Sequence, residues 1–177
     1  KAILSVLEGM AEPPVIFDQG CCGMPHYYKG MVMESEERAL ALERLFENFP
    51  SILLPCSSGY DFLRRRQGER VELLSIALAD TMGQVDPDRR VFYHLPCHLK
   101  NEAGDREFQA LARIVPLEEW ETGDRCCGSA GTYFIQHPRI SKHILKRKHI
   151  MGNEPFVIIT SCPSCLIQLR RTFGRHN

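Results

Sequence analysis

A pair of adjacent cysteines followed by glycine occurs twice in this chain, as Gly20-Cys21-Cys22-Gly23 and as Arg125-Cys126-Cys127-Gly128. Each is followed at nearly the same distance by a single cysteine: Cys22 precedes Cys56 by 34 positions, and Cys127 precedes Cys162 by 35. The correspondence continues further. Leu63-Arg64-Arg65 and Leu169-Arg170-Arg171 lie at matching offsets past those cysteines, and Tyr28 and Tyr133 each stand six residues after the second cysteine of their pair. Such a pattern predicts one unit folded twice, over residues 1–88 and 89–177, rather than a long repeat array.

With 177 residues, 44% of them hydrophobic, the chain is large enough to bury a core without cross-links. A disulfide scaffold is therefore a poor reading of eight cysteines in a sequence with no secretory pattern, and metal or redox chemistry gains weight. Lys plus Arg and Asp plus Glu both total 22, which argues against capture of nucleic acid by a positive field. No apolar run approaches the roughly 20 residues that cross a bilayer. The opening residues lack the basic start and apolar stretch of a signal peptide. A chain that opens on Lys1 rather than Met is expected to be a fragment or a matured product.

Periodicity predicts strands at 51–55, 91–95 and 156–160, each running into a cysteine: Cys56, Cys97 and Cys162. Helical spacing predicts helices over 35–49, 71–82, 106–114, 140–150 and 164–173, with Leu73, Leu74, Ala77 and Leu78 as a helix seam. Residues 2–7 read as a helix following a strand and cysteine that the first copy lacks. Strands alternating with helices predict an α/β fold, two pseudo-repeated halves with mostly parallel sheets. Ligands of such sheets usually lie beyond the carboxyl ends of the strands, where these cysteines stand.

The second copy carries five thiols: Cys97, then Cys126-Cys127 after 28 residues, then Cys162-x-x-Cys165 after a further 34. Soft sulfur ligands suit iron–sulfur clusters, commonly four thiolates to a cluster. Adjacent cysteines point opposite ways in an extended strand, so both can face one centre only in a tight turn, which Gly128 permits. Gly131 is expected to allow close backbone approach, with N–H groups towards sulfur. The start of the helix carrying Cys162 and Cys165 favours thiolate over thiol. The first copy holds only Cys21, Cys22 and Cys56. The position equivalent to Cys97 falls ahead of residue 1, and Gly59 stands where the second copy has Cys165.

These motifs resemble the cysteine-rich domain with two Cys-Cys-Gly motifs. That domain occurs in iron–sulfur subunits of glycolate oxidase and lactate-utilisation systems, in an anaerobic glycerol-3-phosphate dehydrogenase subunit, and in the catalytic subunit of heterodisulfide reductase. Tyr93-His94-Leu95-Pro96-Cys97-His98-Leu99 is similar to the family's strand-to-ligand segment, and the run from Cys126 to Tyr133 is similar to its glycolate oxidase branch. The resemblance implies a non-cubane [4Fe–4S] cluster on Cys97, Cys126, Cys127, Cys162 and Cys165, and an incomplete second metal site on Cys21, Cys22 and Cys56. It implies a redox module of a hydroxy-acid or related oxidoreductase, passing electrons from a flavoprotein partner to a quinone or other carrier. A ferredoxin-like subunit is an alternative partner. The implied location is cytoplasmic, peripheral to the inner face of the cell membrane.

Other readings stay open beside this one. Reduction of a disulfide or heterodisulfide at the cluster is the second. A zinc-stabilised structural or interaction domain is the third, although four thiolates suffice for zinc and leave the fifth unexplained. Cys21, Cys22 and Cys56 also read as a zinc-filled or partial site, or as small buried hydrophobes. His94 and His98 flank Cys97 and can donate a hydrogen bond to a cluster sulfide or relay a proton, against a default of structural histidines. His26, Tyr27, Tyr28 and Lys29 read first as packing, then as a cleft lining. Lys142, His143, Lys146, Arg147, Lys148 and His149 read as a solvated helix face, with docking to an acidic subunit second. No phosphate-binding loop, nucleophile triad or dinucleotide fingerprint is present.

Overall fold

The computed structural model describes residues 7, 14–17, 20–100, 103–150, 152 and 154–174. The helix expected over 2–7 lies outside them except for Leu7, which is helical and buried. In the first half, helices α1 (Met24–Tyr27) and α2 (Val32–Leu45) precede strand β1 (Ile52–Leu54). Helix α3 (Ser57–Gln67) then crosses over to β2 (Val71–Leu73), which pairs parallel with β1 in the register Ile52↔Val71, and α4 (Leu74–Ala79) follows. The second half begins with β3 (Arg90–Tyr93), a 3-10 turn over Cys97–Leu99, and α5 (Gly104–Ile114). Helices α6 (Tyr133–Gln136) and α7 (Pro138–Leu145) lead to β4 (Phe156–Ile159) and α8 (Pro163–Phe173). β4 pairs parallel with β3 in the register Arg90↔Phe156, and Phe92 bridges in parallel to Glu118.

This is the expected α/β architecture, drawn as two short parallel pairs in open sheets rather than one broad sheet. Among the described residues no helix is long and apolar enough to cross a membrane.

The helix expected over 71–82 is corrected. Its first three residues form β2, and Leu73 is wholly buried in the strand rather than in a helix seam. Val71 and Leu73 alternate inward with Glu72 between them, a period-2 signal too short to outweigh the helical spacing that follows. Helix α2 also ends at Leu45 and starts at Val32, displaced towards the N-terminus from the expected 35–49. Helix α7 stops at Leu145, well short of residue 150.

The cysteine pairs are held the same way in both halves. Gly23 has φ +97°, and a Cβ there would stand 2.5 Å from the Ser35 carbonyl oxygen; Gly128 has φ +78°, and its Cβ would stand 2.8 Å from the Ser141 carbonyl oxygen. Only glycine meets both demands, left-handed backbone and no side chain, so the turns after the pairs pack against α2 and α7. Both serines are buried, and Ser141 Oγ donates to the Gly128 carbonyl at 2.8 Å.

One apolar cluster joins Ile52, Tyr60, Leu63, Val71 and Leu73 to Leu99, Ala103 and Ala110, residues from either side of position 88. A second, around Leu145 and Leu169, includes Cys127, Cys162 and Cys165. Glu107 is fully buried on α5 and accepts hydrogen bonds from Ser75, Tyr93 and Ser161, at 2.5, 2.5 and 3.0 Å. It therefore ties α4, β3 and the segment entering Cys162 to one carboxylate.

Candidate metal centre

Each parallel strand pair delivers its cysteines at the carboxyl end. Cys97 stands in the turn after β3, Cys162 caps α8 after β4, and Cys165 sits one turn into that helix. Pro163 at the first helical position needs no hydrogen-bonded N–H, and the backbone N–H of Cys165 donates to Cys162 Sγ at 3.4 Å. The loop carrying Cys126 and Cys127 turns at Gly128, whose N–H donates to Cys126 Sγ at 3.3 Å.

Two of these five sulfurs touch: Cys127 Sγ lies 3.0 Å from Cys165 Sγ. Cys162 Sγ joins them through the Cys165 N–H, and Cys97 and Cys126 perturb one another's thiols. Cys127, Cys162 and Cys165 are buried, whereas Cys97 and Cys126 open to solvent. Thiolate character is uneven among the five. Hydrogen bonds from Cys127 and Cys97 hold Cys126 far below the usual thiol range, and the bond from Cys165 brings Cys162 down to about 6. The donors rise in compensation: Cys97 and Cys165 well above the range, and Cys127 to about 11.

In the first half Cys21 is exposed, and Cys22 and Cys56 are part-buried. Burial pushes Cys22 up to about 11 and raises Cys56 as well. Gly59 lies on the first turn of α3 as Cys165 lies on α8, and a Cβ added there would sit 3.6 Å from Cys22 Sγ. The backbone N–H of Ser57 donates to the Ser161 carbonyl at 3.0 Å, so the two strand-to-helix turns lie side by side.

The two histidines part company. His98 faces outward: its Nε2 is 2.7 Å from Tyr28 Oη, and its Nδ1 is 3.6 Å from an Asp61 carboxylate oxygen. Tyr28 has its phenol raised chiefly by burial. The packing role expected of Tyr28 is thus joined by a polar one, and the close approach expected at Gly131 is to this ring, 3.2 Å from the Cβ position. His26 has Nδ1 buried without a partner among the described residues.

His94 turns inward and is 1% exposed. Its Nδ1 lies 2.6 Å from the Gly123 carbonyl oxygen, which can only accept, so Nδ1 carries the proton. Nε2 then offers a lone pair, buried and without a partner among the described residues. One ligand atom each from His94, Cys127 and Cys165 lie within 4.8 Å of one another. Burial, and then the charge of Lys148, brings His94 down to about 4, which keeps it neutral. A neutral ring in this tautomer presents a lone pair at Nε2, where the sequence suggested an N–H donor to sulfide.

Sequence reasoning missed Lys148. It sits in the expected solvated basic stretch, yet it is 4% exposed while Lys142, His143, Lys146, Arg147 and His149 are exposed. Helix α7 ends at Leu145 and the chain turns inward, which breaks the assumed helical face. Periodicity carried no signal of that turn.

The donor set fits a thiophilic centre. Cys127 and Cys165 converge from segments far apart in the chain, and an orphaned imidazole lone pair of His94 lies beside them. Comparison with known proteins supports the same chemistry. A sequence model described as a cysteine-rich domain, CCG, matches residues 1–58 and 91–170. A subunit of the fumarate reductase (CoM/CoB) of Methanothermobacter marburgensis is 31% identical over 184 residues, covering 96% of this chain and 38% of that protein. Lactate utilization protein A of a Geobacillus species is 30% identical over 178 residues, covering 85% of this chain and 74% of that protein. The probable glycolate oxidase iron-sulfur subunit of Bacillus subtilis is 27% identical, covering 96% of this chain and 36% of that protein. The chain thus spans little more than a third of the first and third of these relatives. No solved structure matches it.

Proposed function

Because the chain belongs to the CCG cysteine-rich domain family, we propose that it is an iron–sulfur redox module of an oxidoreductase, with Cys97, Cys126, Cys127, Cys162 and Cys165 holding one [4Fe–4S] cluster of non-cubane type. The observation that supports this reading is the 3.0 Å approach of Cys127 Sγ to Cys165 Sγ, with the His94 ring nitrogen beside them, at the carboxyl ends of β3 and β4. A tetrahedral zinc site needs only four thiolates and leaves one of the five without a role. The proposed units are residues 1–88, with Cys21, Cys22 and Cys56 as an incomplete site, and residues 89–177, with the complete one.

The bound cluster supplies reversible one-electron transfer. The chain's own residues do the rest. Cys127, Cys162 and Cys165, buried against Leu145 and Leu169, exclude water from one side. Gly128 N–H and Cys165 N–H donate to the sulfurs of Cys126 and Cys162 and hold them in place. Cys97 and Cys126, on the open side, give the edge at which electrons enter or leave.

The proposed donor is a flavoprotein subunit oxidising a hydroxy acid such as glycolate or lactate. Transfer onward runs to a quinone-linked complex at the inner face of the cell membrane, or to a ferredoxin-like subunit. The names of the lactate and glycolate relatives support this direction.

A second reading, reduction of a disulfide, draws support from the name of the CoM/CoB relative and from the hydrogen-bonded Tyr28–His98 pair, which can carry a proton next in sequence to Cys97. It would take R–S–S–R′, two electrons from a ferredoxin-like partner and two protons to two thiols. Anaerobic purification with counts of iron, acid-labile sulfide and zinc tests the primary proposal. About four irons and four sulfides per chain are expected, whereas zinc alone would overturn it. An EPR spectrum unchanged by a small heterodisulfide would remove the second reading.

A further inference from the structure

We infer that Lys148 is the internal counter-cation of the later thiol centre, fitting that site to a net-anionic metal–thiolate group and holding its reduction potential up. The inference rests on the proposed redox reading and adds to it a residue that carries charge rather than coordinating.

Lys148 lies in a cradle built by the loop from Trp120 to Gly123. Its Nζ donates to the Thr122 carbonyl at 2.6 Å and to the Gly123 carbonyl at 3.2 Å, and it stands 4.6 Å from the Trp120 ring centroid. The cradle is fastened from the other side. Trp120 Nε1 donates to the His149 carbonyl at 2.7 Å, and the His149 N–H donates to Thr122 Oγ1 at 3.3 Å. The ammonium is therefore fixed in position rather than floating.

All these contacts are neutral, and a buried ammonium needs negative charge nearby. Asp124 is the adjacent carboxylate, but it is 61% exposed and pairs with Lys100 at 3.3 Å. Burial lowers the Lys148 ammonium to about 8, and the groups that oppose this when ionised are, in order, Cys127, Cys165, Asp124 and Cys126. Three of these four belong to the later thiol set. The Gly123 carbonyl that takes the Lys148 ammonium also takes His94 Nδ1–H, and His94 stands beside Cys127 and Cys165. A cation, a carbonyl and a neutral imidazole thus form one hydrogen-bonded arm that ends at the sulfurs.

The electrostatic consequence has a definite sign. Four or five thiolates around an iron–sulfur core make a net-negative group, and reduction makes it more negative. A fixed positive charge stabilises the reduced form more than the oxidised one, so it raises the potential.

The test uses Lys148→Gln, which keeps donors for the two carbonyls but removes the charge, and Lys148→Arg, which keeps the charge. Each is reconstituted anaerobically, assayed for iron and sulfide, and titrated by EPR-monitored potentiometry. The expected result is a midpoint moved to more negative potential in Lys148→Gln and left near wild type in Lys148→Arg. Equal midpoints in the wild-type and Gln proteins at full cluster content would overturn the inference while leaving the redox reading intact. If the wild-type chain takes up zinc without iron or sulfide, the redox reading fails, and chelator competition for zinc decides the inference. Weaker zinc binding in Lys148→Gln alone supports a counter-charge, and equal binding overturns it. A wild-type chain that takes neither metal overturns both. Lys148→Met serves as the charge-removing variant if the Gln protein does not fold.

Discussion

Gly59 and Cys165 occupy equivalent turns, and one missing sulfur separates a three-thiol group from a fuller one. The Cβ position of Gly59 is in ordinary van der Waals contact with Cys22 Sγ at 3.6 Å, and the residue lies in a helix without positive φ. Gly59→Cys is therefore expected to fold and to bind roughly one further metal ion, because four thiolates complete a tetrahedral site; elemental analysis against wild type reads it. Gly128 is the opposite case. Its Cβ would meet the Ser141 carbonyl at 2.8 Å in a left-handed backbone, so Gly128→Ala is expected to lose about 1–3 kcal/mol in denaturant unfolding and to lower metal content. The cysteines and the turn glycine were legible as single residues because their chemistry is specific to their type. Lys148 was not, since its role comes from burial.

Elements are joined here by a few polar anchors, and each can be cut separately. Glu107 on α5 receives Ser75 from α4, Tyr93 from β3 and Ser161 before Cys162. Glu107→Ala leaves buried hydroxyls without an acceptor and is expected to cost at least about 2 kcal/mol in chemical denaturation, more than Glu107→Gln. Arg66 on α3 forks onto Glu36 and Glu43 of α2. Its hydrogen bond holds the Glu43 carboxyl below its usual range. A lowered carboxylate stabilises the fold above its unfolded value, near pH 4.5, and that contribution disappears as pH falls through the lowered value. Arg66→Ala is expected to lose about 0.5–1 kcal/mol at pH 7 and progressively less in acid, as urea midpoints from neutral pH down into the carboxylate range will read. The strands before Cys97 and Cys162 were readable from their β-branched and aromatic runs, and the weaker one before Cys56 from its short apolar run ending at Pro55. β2 was not, because three residues pairing with β1 owe their strand state to that partner.

At the scale of the whole molecule, the later centre closes long loops: Cys97, the Cys126–Cys127 pair and the Cys162–Cys165 pair lie on separate segments. Binding to such a site in the folded state alone stabilises that state. Metal removal is expected to lower the melting temperature of the chain and to weaken amide protection around β3, β4 and α8 more than around β1 and β2, as differential scanning fluorimetry and hydrogen exchange will measure. Equal loss across both halves would instead point to the shared core of Leu63, Leu73, Leu99 and Ala110 as the dominant coupling.

By itself the sequence determined the α/β class and the cysteine-rich family of the chain, because spacing, alternation and residue chemistry are written along it. The approach of Cys127 to Cys165, the tautomer of His94 and the inward turn of Lys148 were decided only by the tertiary structure. Each depends on which distant segment supplies a carbonyl, a sulfur or an apolar wall, and such neighbours are set by packing rather than by local order.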